Sequence, residues 1–272
     1  MKQTHHFEAR QLVAGYDNRA VIHGIDMVIP SHKISVLIGA NGCGKSTLLK
    51  TLARLIKPID GAITIDGRPI SRFPAKQLAR LVGLLPQSPI VPEGITVADL
   101  VGRGRFPHQS WLGGWSKKDY EAVVEAMTIM NITEFANYNI DELSGGQRQR
   151  VWVAMALAQQ TDILFLDEPT TFLDITYQIE ILDLLTDLNR RLGKTIVMVL
   201  HDINLSARYA DHIFALQQGE LVAEGTPTEV ITSKRVNQIF GLDCTVINDP
   251  LSGSPLVVPK GRHHMLGMRA YD

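Results

Sequence analysis

One segment carries the residue types that bind a nucleoside triphosphate. Residues 39–46 read Gly-Ala-Asn-Gly-Cys-Gly-Lys-Ser and match the pattern G-x-x-x-x-G-K-[ST]. The glycines let backbone N–H groups close around a β-phosphate at a helix N-terminus. The pattern assigns the β- and γ-phosphate oxygens to Lys45 and a Mg²⁺ ligand to the Ser46 hydroxyl. The predicted phosphate-binding residues are Asn41, Gly42, Cys43, Gly44, Lys45, Ser46 and Thr47.

Two carboxylates follow a predicted buried strand further along the chain. Residues 163–166 are apolar and lead directly into Asp167 and Glu168. This position puts both side chains at the sheet edge where ligands of parallel α/β folds bind. Asp167 would hold Mg²⁺ through water, and Glu168 would act as the general base on the attacking water. The alternative is a pair of helix N-cap residues before Pro169.

Three single residues could complete a nucleotide site. His201 follows a predicted strand and should emerge at the same edge as Asp167, where it could donate a hydrogen bond to the γ-phosphate. Gln87 stands where the sheet passes into a helical segment, and its amide could contact both Mg²⁺ and the attacking water. Tyr16 could stack on an adenine ring. The alternatives are a structural histidine, a polar loop residue and a half-buried aromatic residue.

A second anion-binding segment lies between the phosphate loop and the acidic strand end. Residues 143–147 read Leu-Ser-Gly-Gly-Gln and offer a serine hydroxyl and glycine N–H groups at a predicted helix start. Because the chain already has its own phosphate loop, a second phosphate site implies a second copy of the chain. The predicted binding residues in this segment are Ser144, Gly145, Gly146 and Gln147.

Strands and helices alternate around these motifs. Apolar runs predict strands over residues 33–38, 163–166, 195–200 and 213–216, with helices over residues 46–56 and from Asp174 to Gly193. This alternation favours an α/β fold with a parallel sheet covered on both faces. From about residue 92 the pattern becomes helical, and we predict an inserted helical subdomain over about residues 92–160.

Composition limits the classes of function. Lys+Arg number 27 and Asp+Glu 28, so there is no basic field to hold nucleic acid. Cys43 and Cys244 are far apart in sequence, which favours a reducing compartment over a disulfide framework. The longest apolar run, residues 151–158, is far shorter than the roughly 20 residues that span a bilayer. The N-terminus lacks the apolar core of a signal peptide, so any membrane role is predicted to be peripheral.

Both ends of the chain carry features without an evident catalytic role. The histidine pairs at residues 5–6 and 263–264 are predicted to be solvated terminal residues rather than metal ligands, because no cysteine or carboxylate spacing accompanies them. Residues 242–272 contain three prolines and are predicted to form an irregular or short β extension of unknown role.

Taken together, the motifs resemble those of the nucleotide-binding subunits of ATP-binding cassette importers, over roughly residues 7–240. The resemblance implies a P-loop NTPase (RecA-like) sheet core with a small antiparallel β subdomain and an inserted helical subdomain, forming one ATPase domain over residues 1–241. The implied substrate and cofactor are ATP and Mg²⁺. The implied catalytic residues are Lys45, Gln87, Glu168 and His201, the metal ligands are Ser46, Gln87 and Asp167, and Tyr16 is the adenine-stacking residue.

The same resemblance implies partners. Two identical chains would sandwich two ATP molecules head to tail, each phosphate loop facing Ser144–Gly146 of the other copy. Two transmembrane permease subunits would bind the pair at the cytoplasmic face of the inner membrane, and a periplasmic or surface substrate-binding protein would act indirectly. The turn at residues 171–174 departs from the family's commoner Ser-Ala-Leu-Asp at its first two positions but keeps Asp174.

Finer features are similar to one branch of these importers. Residues 104–108 and 168–175 resemble the branch that serves iron–siderophore, haem and vitamin B12 transport, and residues 107–112 look most like ferric-siderophore members. The implied cargo is a ferric siderophore, with vitamin B12 or haem as alternatives. A soluble cassette ATPase for DNA maintenance or translation is the competing class, although the chain has no long coiled-coil insert, second cassette or basic linker.

Overall fold

The computed structural model of the chain describes residues 4–17, 19–87, 93–109, 114–171 and 173–261. The histidine pair at residues 263–264, residues 110–112 and Phe172 lie outside this part. The strands are, in chain order, β1 (Phe7–Tyr16), β2 (Arg19–Ile29), β3 (Ile34–Ile38), β4 (Asp60–Ile65), β5 (Arg68–Pro69), β6 (Val82–Leu85), β7 (Ile163–Asp167), β8 (Thr195–Val199), β9 (His212–Gln217), β10 (Glu220–Gly225), β11 (Cys244–Asn248) and β12 (Pro255–Pro259).

Helices connect and cover these strands. They are α1 (Lys45–Leu52), α2 (Ala75–Leu81), α3 (Val97–Gly102), α4 (Lys117–Ile129), α5 (Gly145–Ala158), α6 (Ile175–Leu192), α7 (Ile203–Tyr209), α8 (Pro227–Val230) and α9 (Ser233–Phe240). Shorter 3-10 turns lie at Ile70–Arg72, Arg103–His108, Thr133–Phe135 and Ile140–Glu142.

The larger sheet has the strand order β10-β9-β3-β8-β7-β6. Strands β3, β7 and β8 are buried at every residue, because a parallel strand covered on both faces has no polar side. The register pairs Val199 with both Leu37 and Asp167, so the carboxyl ends of these three strands meet at one edge. The predicted α/β fold is confirmed, and the predicted strands match within one residue at each end.

The smaller sheet is antiparallel, with the order β2-β1-β4-β5. Helix α1 lies between the two sheets, and its Leu48, Leu49 and Leu52 side chains are fully buried among residues of both. Phe7 of β1 also meets Phe165 of β7 edge to face, with ring centroids 5.6 Å apart. The antiparallel sheet that the family resemblance implied is therefore present and shares a core with the parallel sheet.

Helix α1 is shorter than predicted. The apolar spacing predicted a helix to residue 56, but α1 ends at Leu52 and Leu55 is 67% exposed. Arg54 takes up a left-handed backbone conformation, with φ of 59°. Its guanidinium donates hydrogen bonds to the carbonyls of Ile70 (2.8 Å) and Phe73 (2.5 Å), tertiary contacts that favour this local break in the helix.

In the part that the structure describes, the chain between β6 and β7 is helical apart from one bridge that pairs Thr96 with Asn139. A buried ion pair links its helices, since Arg105 Nε donates to Asp119 Oδ1 at 2.9 Å. Hydrogen bonds from the hydroxyl and backbone N–H of Ser116, aided by Arg105, hold the pKa of Asp119 at about 2 although burial opposes this. Arg105 also donates to Ala158 O at the end of α5 (2.7 Å).

The two chain ends differ in how well the sequence predicted them. The short β extension is confirmed, because β11 and β12 form an antiparallel hairpin. The prediction of a solvated His5 is wrong, since its side chain is only 4% exposed. Its Nδ1 lies 2.8 Å from Asp66 Oδ2 and its Nε2 3.3 Å from Asp162 Oδ2, so it bridges the turn after β4 and the residue before β7. Because both carboxylates are distant from His5 in sequence, no local spacing of residues predicts these contacts.

Candidate functional site

A cavity of about 350 Å³ lies at the carboxyl edge of the parallel sheet. It brings together most of the predicted phosphate loop and four residues from other parts of the chain. The lining residues are Val21, Asn41, Gly42, Gly44, Lys45, Ser46, Thr47, Gln87, Glu168 and His201. Five segments that are far apart in sequence therefore meet around one open space.

The backbone of the phosphate loop packs closely against residues of β2 and β9. Gly39 and Gly44 have φ of 148° and 104°, values that side-chain-bearing residues rarely adopt. A Cβ on Gly39 would lie 2.2 Å from the carbonyl oxygen of Leu216, and one on Gly44 would lie 2.7 Å from Ile22 Cδ1. These contacts require glycine at both positions, because neither a left-handed backbone nor the available space admits a side chain.

Lys45 is held at the centre of this loop. Its side chain is buried, and its Nζ donates hydrogen bonds to the carbonyl oxygens of Gly39 (2.8 Å) and Ala40 (3.1 Å). Cys43 is also buried, and its Sγ lies 3.9 Å from Lys45 Nζ. An ammonium group fixed among backbone carbonyls is well placed to exchange those acceptors for phosphate oxygens.

The acidic strand end offers the ligands of a hard cation beside the loop. Ser46 Oγ donates to Asp167 Oδ1 at 2.8 Å, whereas Asp167 Oδ2 is buried and accepts no hydrogen bond from the described residues. Lys50 Nζ is 4.0 Å from Oδ2. Burial raises the pKa of Asp167, although Ser46 and Lys50 act in the opposite direction. A buried carboxylate oxygen without a donor fits a Mg²⁺ site, because oxygen ligands are those that Mg²⁺ prefers.

Glu168 is the point where the remaining polar residues converge. Its Oε2 accepts hydrogen bonds from Gln87 Nε2 (2.6 Å) and Thr171 Oγ1 (2.9 Å), and its Oε1 lies 2.7 Å from His201 Nε2. Burial works to raise the pKa of Glu168, but His201, Thr171 and Gln87 together outweigh it and lower the pKa below its usual value. The site therefore holds a charged carboxylate in a defined orientation.

The backbone of Glu168 is unusual as well. Its φ is 57°, in the left-handed region that a residue with a side chain rarely enters. Thr171 N donates to Glu168 O (3.3 Å), which closes a turn directly after β7. Strained backbone of this kind is concentrated at functional sites, where the surrounding structure compensates its cost.

The structure does not bring the predicted second phosphate segment into this cavity. Ser144 caps α5, where its hydroxyl accepts from Gln147 N (3.3 Å) while Gln147 Oε1 accepts from Ser144 N (2.9 Å). Ser144 and Gly145 are exposed, and a Cβ on Gly145 would meet nothing within 4 Å. Gly146 packs against Tyr177, since a Cβ there would lie 2.9 Å from its ring. The residues available to bind an anion therefore face outward.

Tyr16 is the last residue of β1, next to the turn that leads into β2. Its side chain is 50% exposed, and it pairs with Arg19 at the start of β2. It does not line the cavity, but Val21, two residues further along β2 from Arg19, does. An exposed aromatic ring on the hairpin that borders the phosphate loop remains a candidate for stacking on a base.

Sequence reasoning missed three residues of this site. Thr171 contacts Glu168 through a turn, and its position three residues later was a signal that could have been used. Val21 and Lys50 approach from β2 and α1, and no local pattern marked either as a site residue. They enter the site only because the smaller sheet and α1 pack beside the phosphate loop.

Comparisons with known proteins found a matching family model and similar chains. Residues 22–171 match a family model described as ABC transporter. The chain is 51% identical over 255 residues to the petrobactin import ATP-binding protein FpuD of Bacillus anthracis, covering 94% of this chain and 93% of FpuD. It is 50% identical over 252 residues to the ferric enterobactin transport ATP-binding protein FepC of Escherichia coli strain K12, covering 93% of each.

Solved structures lead to the same fold. The bacterial ABC transporter cassette MJ0796, solved as a dimer, matches with a TM-score of 0.71 and 28% identity over 81% of this chain and 98% of that one. The same cassette has also been solved in a post-hydrolysis state with ADP and Pi. None of the helices in the described ranges is both long and apolar enough to cross a membrane.

Proposed function

The chain belongs to the ABC transporter family, and from this premise we propose that it is the ATP-hydrolysing subunit of an importer for ferric siderophores. The observation that carries the catalytic part is the convergence of Gln87, Thr171 and His201 on the Glu168 carboxylate beside the phosphate loop. Three polar side chains from separate segments thus fix the orientation of one carboxylate that lines the cavity, which favours a catalytic role for Glu168 over a purely structural one.

The phosphate loop is proposed to bind the triphosphate of ATP. Backbone N–H groups of residues 41–47 would surround the β-phosphate, and Lys45 would transfer its hydrogen bonds from Gly39 O and Ala40 O to phosphate oxygens. Tyr16 would stack on the adenine ring when ATP is bound. The close packing at Gly39 and Gly44 supports this role, since a side chain at either position would displace the loop that lines the cavity.

Mg²⁺ is proposed to lie between the Ser46 hydroxyl and Asp167, with the Gln87 amide as a further ligand. The unpartnered Oδ2 of Asp167 supports this assignment. When bound, the ion supplies positive charge that stabilises the phosphate oxygens. Lys50 at 4.0 Å partly offsets the charge of the buried carboxylate.

Glu168 is proposed to act as the general base. Because its pKa lies below the usual value, the carboxylate is charged at neutral pH and can accept a proton from a water molecule that attacks the γ-phosphate. His201 and Gln87 hold its two oxygens at 2.7 and 2.6 Å and so restrict its orientation. His201 is further proposed to contact the γ-phosphate when ATP is bound.

The second phosphate contact is proposed to come from another copy of the chain. Ser144 and Gly145 are exposed at the N-terminus of α5 and do not line the chain's own cavity, which supports a role in a partner's site. Two chains arranged head to tail would each offer these residues to the other's ATP. The solved dimer of the MJ0796 cassette is consistent with pairing in this family.

The ATPase domain is proposed to span residues 1–241, with its helical subdomain at about residues 92–160 and an extension at residues 242–272. Two permease subunits would each place a short cytoplasmic helix near Gln87, at the joint between the sheet and the helical subdomain. This arrangement puts the chain at the cytoplasmic face of the inner membrane as a peripheral subunit. A substrate-binding protein outside the membrane would act through the permease.

The cargo assignment is supported by names of relatives. Proteins 50% and 51% identical to this chain are described as serving ferric enterobactin and petrobactin import. The deciding experiment is to isolate the tagged chain from detergent-solubilised membranes and to measure the ATPase activity of the recovered complex. A permease should be recovered, and one ferric-siderophore-loaded binding protein should raise the rate. Stimulation by vitamin B12 or haem binding proteins instead would change the cargo, and recovery without a membrane partner would refute the transporter role.

A further inference from the structure

The hairpin formed by β11 and β12 is attached to the helix that follows His201. Asn204, in the first turn of α7, makes two hydrogen bonds to one residue of β12 through the oxygen and nitrogen of its side-chain amide. Its Oδ1 accepts from Val257 N at 2.7 Å, and its Nδ2 donates to Val257 O at 3.3 Å. The N–H and C=O of a strand residue point to the same side, so Asn204 takes the place of a neighbouring strand at this position.

On the hairpin side, this contact lies at the edge of the core. Val257 and Cys244 are each 5% exposed and belong to the same hydrophobic cluster as Leu200 and Leu205, which flank His201 and Asn204. Val257 also pairs with Val246 across the hairpin. The hairpin therefore packs against α7, the helix that follows His201, through β12.

His201 is fixed by two anchors, one on each side. Before it, β8 ends at Val199 inside the parallel sheet. After it, Asp202 caps α7 by accepting from Leu205 N (2.8 Å), and Asn204 connects that first turn to β12. The far end of α7 is held separately, since Tyr209 OH donates to Asp183 at 2.9 Å. Among the described side-chain hydrogen bonds from α7 to other elements, those of Asn204 are thus the nearest in sequence to His201.

We propose that the C-terminal hairpin positions His201 through the Asn204–Val257 contact. Resting on the proposed role of His201 in ATP hydrolysis, this assigns to residues 244–259 a part in catalysis although they touch no reacting atom. Asn204 is a positioning residue: it holds the start of α7, and α7 holds the imidazole 2.7 Å from Glu168. Small displacements of positioned groups lower catalytic rates strongly.

The test compares two asparagines. Asn204→Ala removes both bonds to the hairpin, whereas Asn237→Ala removes a bond of similar length (2.7 Å, to Asp243) near the start of the same extension but away from α7. ATPase activity is measured on the permease complex and ATP affinity on the isolated subunit. We expect Asn204→Ala to lower kcat about tenfold or more, with KM for ATP and ATP affinity changed less than about twofold. Asn237→Ala should leave all three unchanged.

Further variants separate the possible failures. Asn204→Asp keeps the acceptor for Val257 N and loses the donor, so it should show an intermediate rate and decides the matter if Asn204→Ala does not fold. Combined with His201→Ala, Asn204→Ala should cause no additional loss. A normal kcat in folded Asn204 variants, or a further drop in the double variant, would overturn the positioning role. A normal rate in His201→Ala alone would instead refute the proposed role of His201.

Discussion

Placing a negative charge at Gly145 should affect the isolated chain and the paired chains in opposite directions. In one chain, a Cβ at Gly145 meets nothing within 4 Å and the residue is exposed at the first position of α5. Gly145→Asp therefore brings no clash. An acidic residue in the first turn of a helix stabilises it by about 0.3–1 kcal/mol, because it faces the positive end of the helix dipole. The subunit should unfold at an equal or slightly higher temperature.

In the pair, the same carboxylate would face the triphosphate bound by the other copy. Two unit charges about 6 Å apart repel by about 3 kcal/mol at an effective dielectric constant of 20, which corresponds to a factor of about 100 in rate or association. Gly145→Asn is the matched control, because it has nearly the same size without the charge. It should lose clearly less activity than Gly145→Asp.

Three measurements check this prediction: thermal unfolding of the purified subunit, ATP affinity of the monomer, and ATPase activity of the permease complex. Gly145→Asp should keep the first two and lose about 100-fold in the third. Gly146→Ala should behave differently, since its Cβ would lie 2.9 Å from the Tyr177 ring and should lower the unfolding temperature. If ATP affinity of the Gly145→Asp monomer fell as much as its ATPase activity, the segment would act within its own chain.

Two further predictions concern the carboxylates. Glu168→Gln should retain ATP binding and lower hydrolysis about 10²–10⁴-fold, because the amide keeps the shape of the side chain but cannot accept the proton; an unchanged turnover rate of the complex would remove Glu168 as the base. For Asp119 the pKa is lowered from 3.8 to about 2 in the folded chain, so its contribution to stability is present above pH 3.8 and is lost as the pH falls toward 2. Asp119→Asn should flatten this acid limb of the stability curve, measured by denaturant unfolding between pH 5 and pH 2, and an acid limb as steep as that of the natural chain would contradict the argument.

Local chemistry explains why so much of the site could be predicted. The phosphate loop is a contiguous segment whose pattern already specifies a strand, a glycine turn and a helix start. The sequence predicts that Asp167 and His201 lie at the same edge of the sheet, because parallel strands have their carboxyl ends on one side. The pairing of Asp167 with Val199, two residues before His201, agrees with this prediction. The helix starts after Ser144 and Asp174 follow in the same way from local sequence patterns, although the sequence predicts a capping role only for Asp174.

Other features required contacts between distant segments. Apolar spacing predicts the end of α1 four residues too late, because it carries no information on the hydrogen bonds from Arg54 to Ile70 and Phe73. The sequence predicts a solvated His5, although Asp66 and Asp162, far along the chain, both contact its ring. The partners of Arg54 are 16 and 19 residues away in sequence, and those of His5 are 61 and 157 residues away.

The sequence by itself predicted the chemistry, namely which residues would bind a triphosphate, a metal ion and a water molecule, and it determined the strand ends at which they stand. It could do so because these groups are specified by short motifs and by the common direction of parallel strands. Only the tertiary structure decided that Gln87 and His201 both hold Glu168, that Ser144 and Gly145 face away from their own cavity, and that β12 is bound by Asn204. Those arrangements depend on how sheets, helices and hairpin pack, and packing is a property of the whole chain rather than of any segment.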